Sequence, residues 1–95
     1  MNKLIEALDA GKRRGYEEIR NIDGDPFIFQ YALKKQNDIY HTYFFSIEES
    51  KIDMIEDNEN EELKTFGNLN AALTYLINKG AVIEKFSAMK TTLPF

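Results

Sequence analysis

The stretch 27-FIFQYALKKQNDIYHTYFFSI-47 decides how this chain folds. Phe27, Phe29, Tyr31 and Leu33 alternate with Ile28, Gln30, Ala32 and Lys34, which is the period of a pleated strand with one aromatic face. Lys35-Gln36-Asn37-Asp38 reads as a turn, and Ile39 to Ile47 is again dense in β-branched and aromatic residues. Residues 27–35 and 39–47 therefore form an antiparallel hairpin. Ahead of it, Asp23-Gly24-Asp25-Pro26 is a strong turn signal, because Gly tolerates positive φ and Pro fixes φ where the next element starts. Beyond it, Ile52, Met54 and Ile55 sit among acids and predict a short edge strand over 51–56.

Helices flank this meander. Leu4, Ile5 and Leu8 recur at helical spacing, Asn2 can cap, and Lys12, Arg13 and Arg14 fall where a helix C-terminus favours cations, so a helix is expected over 3–13, ended by Gly11 or Gly15. Tyr16 to Ile22 fits an irregular segment or a strand better than a helix. Asp57 to Glu62 is too polar to bury and reads as a loop. The clearest helix carries Leu69, Ala72, Leu73, Leu76 and Ile77 as one stripe, with Asn68 as cap and Lys79-Gly80 as close. From Ala81 to Lys90 a short helix and a packed extended tail are both open, and Thr91 to Phe95 reads as loose. The expected fold is one α+β domain over 1–95: an N-terminal helix, a three-stranded antiparallel meander, and a C-terminal helix packed on one sheet face.

Composition narrows the function. At 95 residues the chain has room for one domain, and with no cysteine it can have neither disulfides nor thiolate chemistry. No apolar stretch approaches the roughly 20 residues that cross a bilayer, and the N-terminus lacks an apolar block before a cleavage site, so a soluble cytoplasmic protein is expected. The net charge of -4 disfavours direct binding to nucleic acid or to an anionic membrane.

Few residues offer catalysis. His41 is the single histidine and lies within a strand; as a base it would need a nucleophile or carboxylate delivered by the fold, and a structural imidazole is the simpler role. The acids lack the spacing of a calcium loop, so no metal is expected. Gly11 to Gly15 (GKRRG) has neither the preceding strand nor the Gly-Lys-Ser/Thr ending of a phosphate loop, and its cations read as a helix-end cluster. The aromatic strands lack the basic flanks and the glycine pattern of sheet-surface RNA binders. Most of these rings must form the core. Those left over on the second side of the sheet, with Ile28 beside Tyr40, Thr42 and Phe44, would make an exposed patch for a partner.

The charge distribution is the most informative feature. Residues 48–62 hold eight acids (Glu48, Glu49, Asp53, Glu56, Asp57, Glu59, Glu61 and Glu62) against Lys51 alone, which leaves the rest of the chain at +3. A solvated edge and loop would account for part of this, since charge discourages edge pairing. Concentrating the acids also creates self-repulsion that a cationic partner would convert to attraction. These acids, with Tyr40 and Phe44, are the candidate partner-binding residues; no catalytic residue and no cofactor are expected.

A small, acidic, cysteine-free α+β chain closing with 65-TFGNLNAALTYLINKG-80 resembles the small immunity proteins of bacterial contact-dependent growth inhibition and other polymorphic-toxin systems. The motif-like part is F-x-N-L-x-x-A-L-x-Y-L-x-x-x-G over 66–80. The resemblance implies tight binding to a cognate toxin with a basic surface, such as a nuclease, blocking its active site or substrate groove without catalysis. Two other functions remain open. One is a mobile-element inhibitor of the anti-CRISPR kind that imitates nucleic-acid phosphates, in keeping with a Lys-, Asn- and Ile-rich, Val-poor composition. The other is a regulatory adaptor for a partner that is not a toxin.

Overall fold

The computed structural model describes residues 2–54, 61–89 and 93–95. In chain order they form α1 (Asn2–Asp9), β1 (Arg14–Ile22), β2 (Asp25–Gln36), β3 (Ile39–Glu48), a 3₁₀ turn (Glu49–Met54), β4 (Glu61–Phe66), α2 (Leu69–Asn78), a second 3₁₀ turn (Ile83–Lys85) and the two-residue β5 (Ser87–Ala88). The strands make one antiparallel sheet in the order β4-β3-β2-β1-β5. The fold class is α+β as expected, but the sheet has five strands and not three.

The hairpin at the centre forms as its sequence dictates. Asn37 and Asp38 both take positive φ (55° and 63°), so the turn is the tight two-residue kind that matches strand twist, and Lys35 and Gln36 end β2. Asp23 and Gly24 (52° and 88°) repeat the device between β1 and β2, with Ile22 opposite Asp25. Tyr16 to Ile22 is thus a strand. Its charged residues hid the alternation, because Glu18 and Arg20 face the helices and pair with one another there.

Three expectations are corrected. The segment given to an edge strand, 51–56, lies within the 3₁₀ turn as far as Met54, with 55 and 56 outside the described residues. Local bonds favour the turn: Glu48 accepts from Ser50 Oγ at 3.0 Å and pairs with Lys51 at 3.4 Å. Glu61 and Glu62, expected in a loop, open β4. That strand shows no hydrophobic alternation because it lies at the sheet edge, with Leu63, Lys64 and Thr65 all exposed. The N-terminal helix is shorter than 3–13 and includes Asn2. It closes on Gly11 (φ 76°), whose N–H bonds the Leu8 carbonyl while Lys12 N–H bonds that of Ala7, a terminus that needs a left-handed residue.

The helix α2 follows its sequence. Asn68 Oδ1 accepts from Ala71 N at 2.9 Å, and the other end closes with Gly80 (φ 99°), Gly80 N to Ile77 O at 2.9 Å and Ala81 N to Leu76 O at 3.0 Å. Its buried face, Ala72, Leu73 and Leu76, packs with Leu8 on Phe29, Tyr31 and Leu33 of β2.

The opposite sheet face carries Ile28, Ala32, Tyr43, Phe45 and Ile47, against which Met89, Leu93 and Phe95 pack. Leu93 to Phe95, expected loose, is therefore a cover, while 91 and 92 lie outside the described residues. Arg13 holds this tail through Nε and Nη2 to the Met89 carbonyl (3.1 and 2.8 Å) and Nη1 to that of Phe95 (2.6 Å). Of the GKRRG cations, Arg13 therefore holds the tail and Arg14 opens β1, so these two do not act as a helix-end cluster. Of the tail segment 81–90, the described residues up to Met89 form one 3₁₀ turn and β5, which pairs with Arg14 and Gly15.

Three substitutions test this packing. Leu76 is fully buried and Leu73 nearly so, and alanine at either leaves a cavity that should destabilise the domain by about 2–5 kcal/mol, read as a lower urea midpoint. Gly15 is buried where β1 crosses β2. A methyl there would meet the Tyr31 carbonyl oxygen and stand 2.8 Å from Ala32 Cα, both backbone atoms with no freedom to yield. Gly15→Ala should therefore cost about 1–3 kcal/mol or more. A Gly15→Ala midpoint equal to the parent's would mean that the strands are less closely apposed than this.

Candidate functional site

The acidic residues gather where β3 ends and β4 begins. Glu48, half-buried at the end of β3, is held by Ser50 and Lys51, and Glu49 beside it is exposed. Asp53 belongs to the 3₁₀ turn that follows; Glu56, Asp57 and Glu59 lie outside the described residues. Glu61 stands opposite Phe45 and Glu62 opposite Phe44. The corner thus combines acids engaged within the fold, Glu48 and Glu62, with the exposed Glu49.

Glu62 is tied most firmly. Its Oε2 lies 3.0 Å from Lys79 Nζ and its Oε1 accepts from the Tyr75 hydroxyl at 2.9 Å, which pins α2 to β4. The Lys79 ammonium, and next the Tyr75 hydroxyl, hold this carboxyl below the usual carboxylate range. Burial, and then the bond to Glu62, push Tyr75 up. Tyr43 is likewise raised, by burial first and then by its bond to the Glu61 carboxylate.

Tyr40 and Phe44 are not on an open face. Both pack with the core under the helices: Phe44 has its ring centroid 5.5 Å from that of Tyr31, with Lys79 Nζ 5.4 Å above it, and Tyr40 has Lys35 Nζ at 5.6 Å. The expected patch of Ile28 with Tyr40, Thr42 and Phe44 does not exist. The register sets Ile28 opposite Ile47 on the other side, Thr42 is fully buried, and the tail covers that other side. The residues that cover this second face, Met89, Leu93 and Phe95, lie more than forty positions further along the chain, so the hairpin's own alternation could not name them.

His41 is half-buried between Lys34 and Thr65 on neighbouring strands, its ring 6.1 Å from that of Phe95. Among the described residues no three acids or histidines are gathered as metal ligands. Also among them, no helix is long and apolar enough to cross a membrane.

One constellation escaped the sequence reading. Arg20 lays its guanidinium 3.8 Å from the centroid of Phe29, keeps Nε 3.0 Å from Glu18 Oε1 and donates from Nη2 to the Tyr31 hydroxyl. That hydroxyl donates in turn to the Lys79 carbonyl at 2.9 Å. Burial raises the Tyr31 hydroxyl's pKa, and the Arg20 charge opposes the rise. Glu18 also receives Lys85 at 2.9 Å, and Tyr16 Oη accepts from Val82 N at 2.8 Å. These groups brace the exit of α2 against β1 and β2. Only the pattern Glu18-x-Arg20 on one strand face signalled it, and only once that strand was known.

Between α1, α2 and the turn at Ile83–Lys85 lies a cavity of ≈ 460 Å³, lined by Leu4, Leu73, Ile77, Ile83 and Phe86, with Lys3 and Glu84 beside them. Its chemistry is that of an apolar groove with one cation and one anion at its side. Comparison of the chain with known protein families, curated proteins and solved structures gives no match in any of the three.

The Glu62 pair makes a pH-dependent contribution to stability. Since the folded carboxyl titrates lower than the unfolded one, this contribution is complete above the unfolded pKa and is lost as pH falls through the folded one. Glu62→Gln should cost under about 1 kcal/mol near pH 7, as befits a partly exposed pair. The difference from the parent should close below about pH 4. Urea midpoints of both proteins across that range check it.

Proposed function

We propose that this chain is an immunity protein, which binds a cognate bacterial toxin with a basic surface and blocks its active site or substrate groove without turnover. The observation that carries the reading is the excess of eight acids over one base in residues 48–62, between β3 and β4. A field of one sign at one corner accelerates encounter with a surface of the opposite sign and discriminates against other partners. A nuclease fits best among toxins, because its substrate groove must itself be cationic. Glu48 and Glu49 begin the corner, and Glu61 closes it. Phe44, opposite Glu62, packs with the core beneath the corner, while Tyr40 lies at the other end of β3 opposite Phe66; neither leads the contact in this reading.

In this reading the protein uses no cofactor, contacts no nucleic acid directly and needs no membrane. The apolar groove beside α1 serves as a second point of contact only for a partner already held by the acids, since its two charged residues, Lys3 and Glu84, are of opposite sign.

Binding kinetics at two ionic strengths test the proposal, with a toxin encoded beside this chain or captured by it as partner. Replacing Asp53, Glu56, Asp57 and Glu59 together with Asn or Gln should slow association at low salt by about tenfold or more and flatten its salt dependence. Folding should be almost unchanged, because like charges crowded into one segment repel one another and neutralising them relieves that repulsion. An association rate at low salt equal to the parent's would reduce the acid run to a solvated loop and sink the proposal.

A further inference from the structure

The sheet has two ends of very different kinds. On one side it finishes with β5, two residues long; on the other it finishes with β4, six residues long, and among the described residues no strand lies on the outer side of β4. A strand edge of this length presents backbone donors and acceptors that another strand can take up. Leu63 at its middle is 50% exposed, on the same sheet side as Tyr43. Glu62 and Lys64 flank it on the opposite side, with Phe44 and Thr42. Among the described residues Lys64 forms no close ion pair, whereas the strand residues Arg14, Arg20 and Lys35 each have a polar partner.

We propose that β4 pairs with β4 of a second copy of this chain, joining the two sheets into one about a two-fold axis at Leu63. The argument is one of register and charge. Two identical antiparallel strands related by an axis normal to their sheet must set some residue opposite itself, so pairing about Leu63 and pairing about Lys64 are the two arrangements with five residue pairs. Pairing about Lys64 puts the two lysines face to face and Glu62 opposite the partner's Phe66. Pairing about Leu63 puts Glu62 opposite the partner's Lys64, twice, and Glu61 opposite the partner's Thr65, twice. It also lays Leu63 against the partner's Leu63 and removes both from water. Directly opposed unlike charges favour a strand pair and like charges oppose it, so the sequence EELKTF selects one register. A lone lysine on an edge strand ordinarily guards against pairing; here the symmetric register supplies its counter-charge.

This dimer is independent of the toxin-binding reading and needs no toxin. It leaves Glu48 and Glu49 outside the paired strand.

Sedimentation of the full chain over a range of concentrations tests it, together with two kinds of variant. The parent should reach a species of twice 11.0 kDa. Lys64→Glu, at an exposed position, should weaken the dimer by roughly tenfold or more, since both symmetric pairs become like-charged. Because the chain has no cysteine, Leu63→Cys introduces one thiol per copy, and mild oxidation should link it across the axis. Lys64→Cys, whose position is offset by two pairs in this register, should link much more slowly. A parent that stays monomeric to about millimolar concentration overturns the proposal and leaves the edge to a strand of another protein. So does a Lys64→Glu variant that associates as well as the parent, or a Lys64→Cys variant that links as readily as Leu63→Cys.

Discussion

The two-sided burial of β2 is the constraint on which the rest of the molecule depends. Tyr31, Ala32 and Leu33 are all fully buried, two of them toward the helices and one toward the tail, so neither sheet face can be left uncovered. Among the described residues two short α-helices are available for this task, and both lie on one side. The other side is closed by residues that have almost no regular structure, Met89, Leu93 and Phe95, held in place by the Arg13 guanidinium on two main-chain oxygens. Gly15 completes the arrangement, since β1 can come this close to β2 and to Met89 only where there is no side chain.

The Tyr31 hydroxyl, a polar group inside this frame, is matched on both sides. Tyr31 brings a hydroxyl into the core and passes its proton toward the Lys79 carbonyl while Arg20 donates to it from the other side. The Lys79 carbonyl lies at the end of α2, where main-chain acceptors lack intrahelical partners, so the bond satisfies a group that burial would otherwise leave costly. Lys79 contributes twice, its carbonyl to Tyr31 and its ammonium to Glu62. A single residue at the close of α2 therefore connects the central strand to the edge strand.

The division of labour between acids follows from the same placement. Glu18 and Glu62 serve the fold, each receiving a lysine, and Glu48 fixes the start of the 3₁₀ turn. Glu49 has solvent before it. An acid run that looks uniform in the sequence is thus a mixture of internal ties and outward charge, and the proposed recognition of a cationic partner draws on the second kind.

How much was legible differs from element to element for identifiable reasons. The central hairpin and α2 could be read because their signals are local: alternation at period two, a polar turn at Lys35–Asp38 of which the structure keeps Asn37 and Asp38, Asn68 as cap and Gly80 as the close. The turn at Asp23-Gly24 was equally plain. β1 and β4 were obscured, because a strand stabilised by charge pairs or exposed at an edge need not alternate in hydrophobicity, and Glu61 and Glu62 looked like loop until β3 supplied a neighbour. For the candidate site, the sequence established the charge excess of 48–62 and nothing of its geometry. Tertiary structure alone decided that Tyr40 and Phe44 turn under the helices, that Glu62 belongs to Lys79 and Tyr75, and that Arg13 reaches residues more than seventy positions away. Local propensity acts through neighbours in the chain, whereas which face of a strand is covered, and by what, depends on segments that meet only after the chain has closed on itself.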